Sequence, residues 1–528
     1  MPAPYYVTTP LYYVNAAPHI GHSYTTIAVD ALARYHRLRG EEVFFLTGTD
    51  EHGEKISQAA AAKGQSPKTF ADQAAATFTS LWSLLGVEGS YTRFIRTTDP
   101  DHEAIVQAVL VRLQPQLTRD TYRFWYCLPD ETSFGLSEID AAKPVCPTCG
   151  RPVQQIEEED YFLALEPHRE WLRREITEDR IKIRPGERRN EVLAMLTQPL
   201  PPLCVTRPKE RVSWGIEVPF SPSHVTYVWF DALVNYISAL GWPDGSNFQR
   251  FWNEAGAVHV IGKDIIRHHA LYWPIILKAL GEKPPSIIVA HGWWKVGEQK
   301  MSKSLGNIVD PVVVIREVLK DQPYAADIYR YFLLRDVPFG QDGAFSEEAL
   351  LGRLQADLAN DLGNLVNRTH SMIERYCGGS IPASRPVDQL NVIGGQRALG
   401  DAAVGLEQVV AQTMERGSEF SVALGSIMNV VSQANRYIEQ EAPWKLAKQP
   451  DEVEQLRGVL ATLAEVIRIV AIALSPFLPA VAASIWAQLG MGAQPMRLAD
   501  ASIWPGCAKG QSLGAKHILF PLSEKTRA

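Results

Sequence analysis

Residues 18–22 read PHIGH and place His19 and His22 on either side of Gly21. A predicted strand precedes this segment and a predicted helix follows it, so the histidines stand where a helix begins. Helix N-termini bind anions, glycine permits close backbone approach, and imidazole can donate to phosphate oxygens during a displacement at phosphorus. The segment therefore indicates a nucleotide phosphate site, although polar residues that merely start a helix would produce the same short sequence.

A second segment supports the phosphate interpretation. Residues 300–304 read KMSKS and contribute Lys300 and Lys303 in a short polar stretch. Two lysines could clamp a triphosphate and the pyrophosphate that leaves it. A solvated loop would explain the lysines, but it would not explain their pairing with PHIGH.

Two β-α-β patterns position these segments. In the first, a strand near 5–9 leads to a helix near 24–38 that ends at Gly40, and an apolar run follows at 43–46. The second comprises a strand at 257–262, a helix at 264–281 that ends in glycine, and a strand at 284–292. Alternation of this kind predicts one shared, mostly parallel sheet, which binds ligands beyond the carboxyl ends of its strands.

The predicted fold is an α/β Rossmann-type catalytic domain with an inserted connective module, followed by an all-α helix bundle. The stretch 116–224 is rich in Pro, charge and Cys and lacks the alternation of strand and helix; strand patterns stop near residue 346, where long apolar-periodic helices begin. The predicted domains are 1–115, the first half of the catalytic domain; 116–224, the insertion; 225–295, its second half; 296–345, the KMSKS region; and 346–528, the bundle.

Composition narrows the class of protein. A chain of 528 residues with 46% hydrophobic and 21% charged residues is typical of a multidomain globular protein. It contains no apolar run of the length that a membrane helix needs, and strand pattern begins within four residues of Met1, which leaves no room for a signal peptide. We expect a cytoplasmic protein without membrane contact. A net charge of −7 argues against a general nucleic-acid coat but not against a local RNA site.

The combined motifs resemble the class I aminoacyl-tRNA synthetases, and within that class the methionyl-tRNA synthetases. The matching stretches extend over almost the whole chain: TTPLYYVNAAPHIGH, FLTGTDEHG, YVWFDALVNYISAL, GKDIIRHHALYWP, HGWWKVGEQKMSKSLGN, DLANDLGNLVNRT and EAPWKLAKQ. The resemblance implies a methionine–tRNA ligase that activates L-methionine with ATP and Mg²⁺ and then charges tRNA(Met) for initiation and elongation. In such enzymes 296–345 is the stem-contact region and 346–528 binds the anticodon.

The resemblance also implies roles for individual residues. His19, His22, Lys300 and Lys303 would be catalytic, and Gly21, Gly262 and Asp264 would join them in binding ATP. Asp50 would hold the substrate ammonium, and the thioether would lie among Leu11, Tyr13, Trp229, Ala232, Leu233, Tyr236, His269 and Trp273. Aromatic rings suit polarizable sulfur, although these rings could equally pack a core. His268 replaces the usual phenylalanine, which predicts a more polar pocket wall.

Cysteine spacing in the insertion suggests a metal site. Residues 146–149 read CPTC, a pair suited to zinc, whereas the family's second Cys pair is here Cys127 and Asp130. Two interpretations stay open: structural zinc held by Cys127, Asp130, Cys146 and Cys149, or a degenerate knuckle that is stable without metal.

The resemblance places the anticodon site in the helical region. Trp444 could stack on an unpaired base, and Asn360, Asn364 and Arg368, spaced by four, could contact base edges, although the asparagines could equally serve helix packing. We expect a monomer, because the sequence ends before the additional dimerising domain that some relatives carry. The alternatives are a class I synthetase for leucine, isoleucine, valine or cysteine, and a non-enzymatic regulatory paralogue; the short insertion argues against the first three and the intact motifs argue against the last.

Overall fold

A seven-stranded parallel sheet lies at the centre of the molecule. The structure, a computed structural model, describes residues 2–521 except 16, 129–131, 137, 148, 297–298, 301–307, 392–394 and 494, and it leaves undescribed the side chains of 133, 296, 299 and 300. The strand order is β2-β3-β1-β13-β14-β8, with β4 also paired to β3. The strands of this sheet are β1 (Pro4–Thr8), β2 (Tyr12–Tyr13), β3 (Glu42–Asp50), β4 (Arg93–Arg96), β8 (Lys182–Arg184), β13 (Ala257–Gly262) and β14 (Ile287–His291).

The predicted sharing of one sheet by the two β-α-β patterns is confirmed. Strand β1 pairs in parallel with β3 on one side and with β13 on the other, in a register that sets Thr8 beside His259. The strands that follow β1 in the chain therefore lie on both sides of it in the sheet. The carboxyl ends of β1 and β13 form the switch point at which such sheets bind ligands. The segment PHIGH lies at this edge.

Helices cover both faces of the sheet and form the C-terminal third. The α-helices are α1 (Ile20–Leu38), α2 (Glu54–Ala62), α3 (Pro67–Leu84), α4 (Pro100–Leu113), α5 (Arg169–Thr177), α6 (Gly186–Met195), α7 (Val228–Ser238), α8 (Trp273–Leu280), α9 (Pro311–Val313), α10 (Ala325–Arg335), α11 (Glu347–Arg353), α12 (Asn364–Cys377), α13 (Gln396–Val404), α14 (Leu406–Gly417), α15 (Phe420–Glu441), α16 (Pro443–Leu446), α17 (Val453–Leu474) and α18 (Pro479–Gln488). Wider π-helical segments are Phe248–Ala255, His268–Tyr272, Val314–Val318 and Leu354–Gly363. Turns of 3₁₀ helix are Gln114–Gln116, Glu166–His168, Lys263–Ile265, Val387–Gln389, Pro450–Glu452 and Leu498–Ser502.

The position of helix α1 follows from its apolar stripe and from the glycine that follows its last turn. Its apolar stripe, which includes Ile27, Ala31 and Tyr35, is completely buried against the sheet. Two residues past its end, Gly40 adopts a φ of +86°, a conformation that β-carbons disfavour, and the chain turns back into β3. Burial of this stripe fixes the axis of α1, so the N-terminal histidines point toward the edge of the sheet.

The range 116–224 contains two small antiparallel sheets and one returning strand. The first consists of β5 (Leu117–Cys127), β6 (Thr132–Phe134), β7 (Gln154–Leu163) and β9 (Leu203–Cys204); the second consists of β10 (Thr206–Pro208), β11 (Glu217–Val218) and β12 (Ser221–Thr226). The chain between β7 and β9 contains β8, which pairs in parallel with β14 and extends the central sheet. The range predicted as an insertion thus contributes an edge strand to the catalytic sheet, and its boundaries stay a prediction.

A third small sheet precedes the helical region. It consists of β15 (Trp294–Val296), β16 (Gln299–Lys300) and β17 (Gly343–Phe345), with β15 in the middle. Beyond it the described chain is helical, as predicted, and among the described residues no helix is long and apolar enough to cross a membrane.

One guanidinium joins the catalytic sheet to the helical region. Arg330 of α10 is completely buried and forms an ion pair of 2.6 Å with Asp30 of α1. The same side chain donates to the backbone oxygen of Phe477 at 2.8 Å and to that of Pro476 at 3.3 Å. A buried cation needs such partners, so α1 and the chain beyond α17 are held against each other.

Candidate functional site

The two histidines of PHIGH cap α1 with their own side chains. His19 Nδ1 accepts a hydrogen bond from the backbone N–H of Gly21 at 3.1 Å, and His22 Nδ1 accepts one from the backbone N–H of His19 at 3.0 Å. A ring nitrogen that accepts carries no proton, so each neutral ring carries its proton on Nε2. The rings stack with centroids 3.9 Å apart, and burial and the neighbouring His19 lower the pKa of His22 well below its usual range. The pair thus forms neutral Nε2–H donors.

Glycines bring the backbone close at this edge. A β-carbon on Gly21 would lie 3.0 Å from Cε1 of His19, and one on Gly262 would lie 2.5 Å from Oδ1 of Asp264. The same carboxylate oxygen accepts from Nε1 of Trp293 at 3.2 Å. Gly21, Gly262 and Asp264, all predicted to bind ATP, therefore lie at the carboxyl ends of β1 and β13, and a larger residue at either glycine would have to displace the side chain of His19 or Asp264.

Both predicted catalytic lysines fall outside the described side chains. The backbone of Lys300 forms part of β16 and pairs with Lys295 of β15, but its side chain is outside the described residues. Lys303 lies wholly outside the described residues. The roles of these two lysines stay predictions.

The predicted ammonium site lies at the end of β3. Asp50, the last residue of that strand, is buried with 7% of its surface exposed and pairs with Tyr13 across the β2–β3 ladder. Tyr13 also donates from its hydroxyl to the backbone oxygen of His52 at 3.1 Å. A buried carboxylate at the edge of a pocket favours a cationic partner, which an α-ammonium group would supply.

His268 behaves as an aromatic wall of the pocket. Its ring stacks on Trp229 with centroids 3.8 Å apart and an interplanar angle of 20°, and it meets Tyr272 edge-on at 5.3 Å. Burial lowers the pKa of His268 well below its usual range, and its Nδ1 has no hydrogen-bond partner among the described residues. The ring therefore stacks as an aromatic residue while its Nδ1 remains a buried polar atom, and the more polar pocket wall stays a prediction.

The remaining predicted pocket residues lie together on α7, the π-helical segment and α8. The Tyr236 hydroxyl and His269 Nε2 are 2.8 Å apart, and the Tyr236 and Trp273 rings lie 5.9 Å apart. The side chains that are buried here are Ala232, Leu233, Tyr236, His269 and Trp273, whereas Leu11 is half-buried and packs against the same core. The structure thus brings the predicted methionine-binding side chains to one side of the sheet edge.

Sequence reasoning missed a buried carboxylate behind the pocket. Asp231 of α7, 1% exposed, lies 2.7 Å from Nδ1 of His52 and 2.7 Å from Nε2 of His102. The two histidines lower the pKa of Asp231 despite its burial. The charged residues in FLTGTDEHG and VWFDALV, both otherwise apolar stretches, were the available signal, but no spacing rule joins positions 179 residues apart.

Three of the four predicted metal ligands converge. The Sγ atoms of Cys127, Cys146 and Cys149 lie within 4.8 Å of one another, and those of Cys127 and Cys149 are 3.5 Å apart. Tetrahedral zinc with Zn–S bonds of about 2.3 Å places its sulfurs about 3.8 Å apart, so these thiols fit three corners of the site. Asp130, the predicted fourth ligand, lies outside the described residues.

Two of the predicted anticodon residues lie together in the helical region. The Arg368 guanidinium stands 5.6 Å from the ring centroid of Trp444 and forms a 2.7 Å ion pair with Glu439. Asn364 reaches Asn435 at 3.5 Å, and Asn360 is exposed within the π-helical segment. Residues four apart lie on nearly the same side of a π-helical segment as of an α-helix, so the shared face of these asparagines stays a prediction.

Models of two protein families match the chain. One, described as tRNA synthetases class I (M), matches residues 5–370, and the other, described as the anticodon-binding domain of tRNA ligase, matches residues 405–517. Together with the parallel sheet and the histidine cap at its switch point, these matches define a class I aminoacyl-tRNA synthetase.

Relatives and solved structures specify the family further. The methionine–tRNA ligase of Caldanaerobacter subterraneus subsp. tengcongensis is 43% identical over 526 residues, which cover 98% of this chain and 78% of that protein. The Bacillus subtilis methionine–tRNA ligase is 40% identical over 534 residues with the same coverage. Mycobacterium tuberculosis methionyl-tRNA synthetase in complex with methionyl-adenylate superposes with a TM-score of 0.91 at 39% identity, covering 98% of this chain and 100% of that one. The chain belongs to the methionyl-tRNA synthetase family.

Proposed function

We propose that the protein activates L-methionine with ATP to methionyl-adenylate and transfers the methionyl group to the 3′ end of tRNA(Met), for both initiation and elongation. The observation that carries this proposal is the neutral histidine cap of α1 at the switch point, with the buried Asp50 and an aromatic pocket beside it. A site with imidazole N–H donors, a buried carboxylate and a cluster of buried aromatic side chains suits condensation of an amino acid that carries a thioether with a nucleotide.

In the first step the methionine carboxylate attacks the α-phosphate of ATP in line and pyrophosphate leaves. Asp50 fixes the ammonium, so the carboxylate is oriented toward the phosphate. The Nε2–H groups of His19 and His22 and the N-terminus of α1 stabilise the charge that develops on the phosphate oxygens. Lys300 and Lys303 bind the departing pyrophosphate. Mg²⁺ would enter with ATP and neutralise part of the negative charge of its phosphates.

Adenosine binds against the carboxyl ends of β1 and β13. Gly262 leaves space beside the strand end, and Asp264 offers a carboxylate for the ribose hydroxyls. The Trp293 indole N–H donates to the Asp264 carboxylate at 3.2 Å. This hydrogen bond orients the carboxylate and places an indole next to the nucleotide. In the second step the terminal ribose hydroxyl of tRNA attacks the adenylate carbonyl and gives up its proton as AMP leaves, and no covalent enzyme intermediate forms.

Residues of the helical region and of the cysteine knuckle are consistent with the same function. Trp444 and Arg368 present a ring and a cation for an unpaired anticodon base. Cys127, Cys146 and Cys149, with Asp130, would hold a structural zinc that orders the loops of the insertion. We further infer a cytoplasmic monomer.

The first experiment measures exchange of labelled pyrophosphate into ATP with methionine as the amino acid. Leucine, isoleucine, valine and cysteine are each tested in its place to establish specificity. Exchange with methionine alone, followed by charging of tRNA(Met), is the expected result. Exchange with another amino acid would overturn the pocket assignment, and no exchange at all would favour the regulatory paralogue.

A matched variant sharpens this test. In Asp50→Asn the charge is lost while the shape stays, so methionine binding should weaken by about 1.5–3 kcal/mol, the contribution of a hydrogen bond to a charged group, or roughly 10- to 150-fold in its KM. The KM for ATP should stay near that of the wild type. Equal effects on both substrates would contradict the role of Asp50.

A further inference from the structure

One carboxylate near the end of β13 holds three donors from two parts of the chain. Asp342 Oδ1 accepts from Lys263 Nζ at 2.6 Å and from the backbone N–H of Trp293 at 2.9 Å, and its Oδ2 lies 2.8 Å from Lys295 Nζ. Burial alone would raise the pKa of Asp342, but hydrogen bonds from both lysines and from Trp293 hold this pKa well below its usual range. The carboxylate is therefore charged at neutral pH.

The backbone around Asp342 keeps this arrangement in place. A β-carbon on Gly292 would lie 2.1 Å from the backbone oxygen of Gln341, and the backbone N–H of Gly343 donates to the backbone oxygen of Trp293 at 2.8 Å. Isolated ion pairs at a protein surface contribute little, but here two ammonium groups and a backbone N–H share one carboxylate between two closely packed segments. Asp342 therefore links the segment before β17 to the segments that follow β13 and β14.

The link continues to the carboxylate proposed for the ribose. Lys263 Nζ stands 4.3 Å from the ring centroid of Trp293, and the indole N–H of Trp293 donates to Asp264 Oδ1 at 3.2 Å. A cation over the face of an indole holds that ring, and the ring in turn orients the carboxylate that accepts from it. Asp342, Lys263, Trp293 and Asp264 thus form one chain of contacts, which ends at the proposed ribose site.

We propose that Asp342 is a positioning residue for ATP: through Lys263 and the Trp293 indole it holds Asp264 in the orientation that receives a ribose hydroxyl. This inference rests on the proposed function and adds three residues to the recognition of the nucleotide sugar. A carboxylate in a fixed orientation binds a hydroxyl more strongly than a rotating one, because less freedom is lost on binding. Asp342 should therefore matter for a nucleotide only if that nucleotide has the hydroxyl that Asp264 contacts.

The test is pyrophosphate exchange at saturating methionine with ATP, 2′-deoxyATP or 3′-deoxyATP as the nucleotide. Wild-type protein should prefer ATP over the deoxynucleotide that lacks the contacted hydroxyl by roughly 10- to 150-fold in KM, as for one hydrogen bond to a charged group. In Asp342→Asn the shape and one acceptor oxygen stay, but the charge that holds Lys263 is lost. We expect the KM for ATP to rise roughly 2- to 5-fold, as for loss of a cation over an exposed indole, while the KM for that deoxynucleotide and the KM for methionine stay unchanged.

Two further variants calibrate this result. Glu217→Gln removes the partner of Lys209, an exposed pair with the same 2.6 Å separation at the second antiparallel sheet, and should change no KM. Trp293→Phe keeps a ring at its position but removes the N–H from which Asp264 accepts, so it should reduce the preference for ATP as the asparagine variant does. Because both changes break one chain of contacts, the double variant should lose little more than either single variant.

Other results would overturn the inference. Equal rises in the KM values for ATP and both deoxynucleotides would show that Asp342 does not act through the ribose, and an unchanged KM for ATP would show that it positions nothing. Wild-type protein that accepts all three nucleotides equally would refute a ribose contact by Asp264 and the inference with it. If the wild type shows no methionine-dependent exchange, the proposed function fails as well, whereas an active wild type with an indistinguishable Asp342→Asn variant refutes the inference alone.

Lys263→Gln covers the case in which Asp342→Asn does not fold. It breaks the same chain at the next contact, while the hydrogen bond from the backbone N–H of Trp293 to Asp342 stays. The preference for ATP over the deoxynucleotide should again fall by roughly 2- to 5-fold. A folded Lys263→Gln protein with the full wild-type preference would refute the inference.

Discussion

Substitution of His22 separates the helix-capping role of its ring from its proposed role at the phosphate. Asparagine places its side-chain oxygen near the position of Nδ1, so it can still accept from the backbone N–H of His19, but it has no group near Nε2. Glutamine reaches further and places an amide N–H near the position of Nε2. The two variants therefore remove different halves of one side chain.

The structure sets the size of each effect. Loss of a cap costs about 0.5–2 kcal/mol of stability, and His22→Asn should avoid most of this cost because its acceptor replaces the 3.0 Å bond. Loss of one transition-state donor costs about 100- to 1,000-fold in kcat, so His22→Asn should lose that much in adenylate formation while the KM for ATP changes little. His22→Gln should recover about tenfold of this loss, as one neutral hydrogen bond contributes at most about 1.5 kcal/mol.

The assay is pyrophosphate exchange at saturating methionine, with the thermal midpoint recorded for each variant and His22→Ala as the variant that lacks both groups. A fall in kcat of less than threefold for His22→Asn would refute a donor at Nε2. Equal rates for the asparagine and glutamine variants would refute the tautomer derived from the cap.

The other predictions concern the carboxylate behind the pocket, the anticodon region and the knuckle. Asp231→Asn should destabilise the protein by about 3–5 kcal/mol at pH 7, because two buried histidines lose a charged partner. The pKa of Asp231 is lowered in the folded protein, so the ionised carboxylate stabilises the fold above the unfolded pKa of about 3.9, and this stabilisation is lost as the pH falls through the lowered pKa of the folded state. The midpoint of thermal unfolding should therefore depend less on acid pH in the variant than in the wild type. Trp444→Ala should raise the KM for tRNA(Met) by roughly 5- to 150-fold, the value of about 1–3 kcal/mol for one stacked base, and leave pyrophosphate exchange unchanged; an unchanged KM would contradict base stacking. Dialysed wild-type protein should contain one zinc by elemental analysis and Cys146→Ser should contain none, whereas metal-free wild type would favour the degenerate knuckle.

The sequence predicted the elements that carry motifs or strong periodicity. The sheet shared by β1 and β13 and the helical C-terminal third followed from alternation and from helical spacing, which depend on local sequence alone. Strand β8 was missed because three residues in a charged stretch carry no period, and pairing with β14 alone makes them a strand.

The site divides in the same way. Residues inside contiguous motifs, such as His19 and His22, could be named, whereas the contacts of Asp231 could not, because only the folded chain brings it against His52 and His102. The sequence alone also did not show that the His268 ring is stacked on Trp229, where burial lowers its pKa. Periodicity reports which face of an element is buried but not which buried polar groups meet.

The ion pair between Arg330 and Asp30 bears on how far this protein can be taken apart. A chimaera that joined this catalytic half to a foreign anticodon module at residue 346 would keep Arg330 but lose the carbonyl oxygens of Pro476 and Phe477. The cation would keep its ion pair with Asp30 but lose two backbone acceptors, and it would lie under the helix whose first turn carries His19 and His22. Successful grafts should therefore exchange the donor's counterpart of α10 along with its bundle, so the exchangeable unit of this protein is set by a buried charge and not by the end of its sheet.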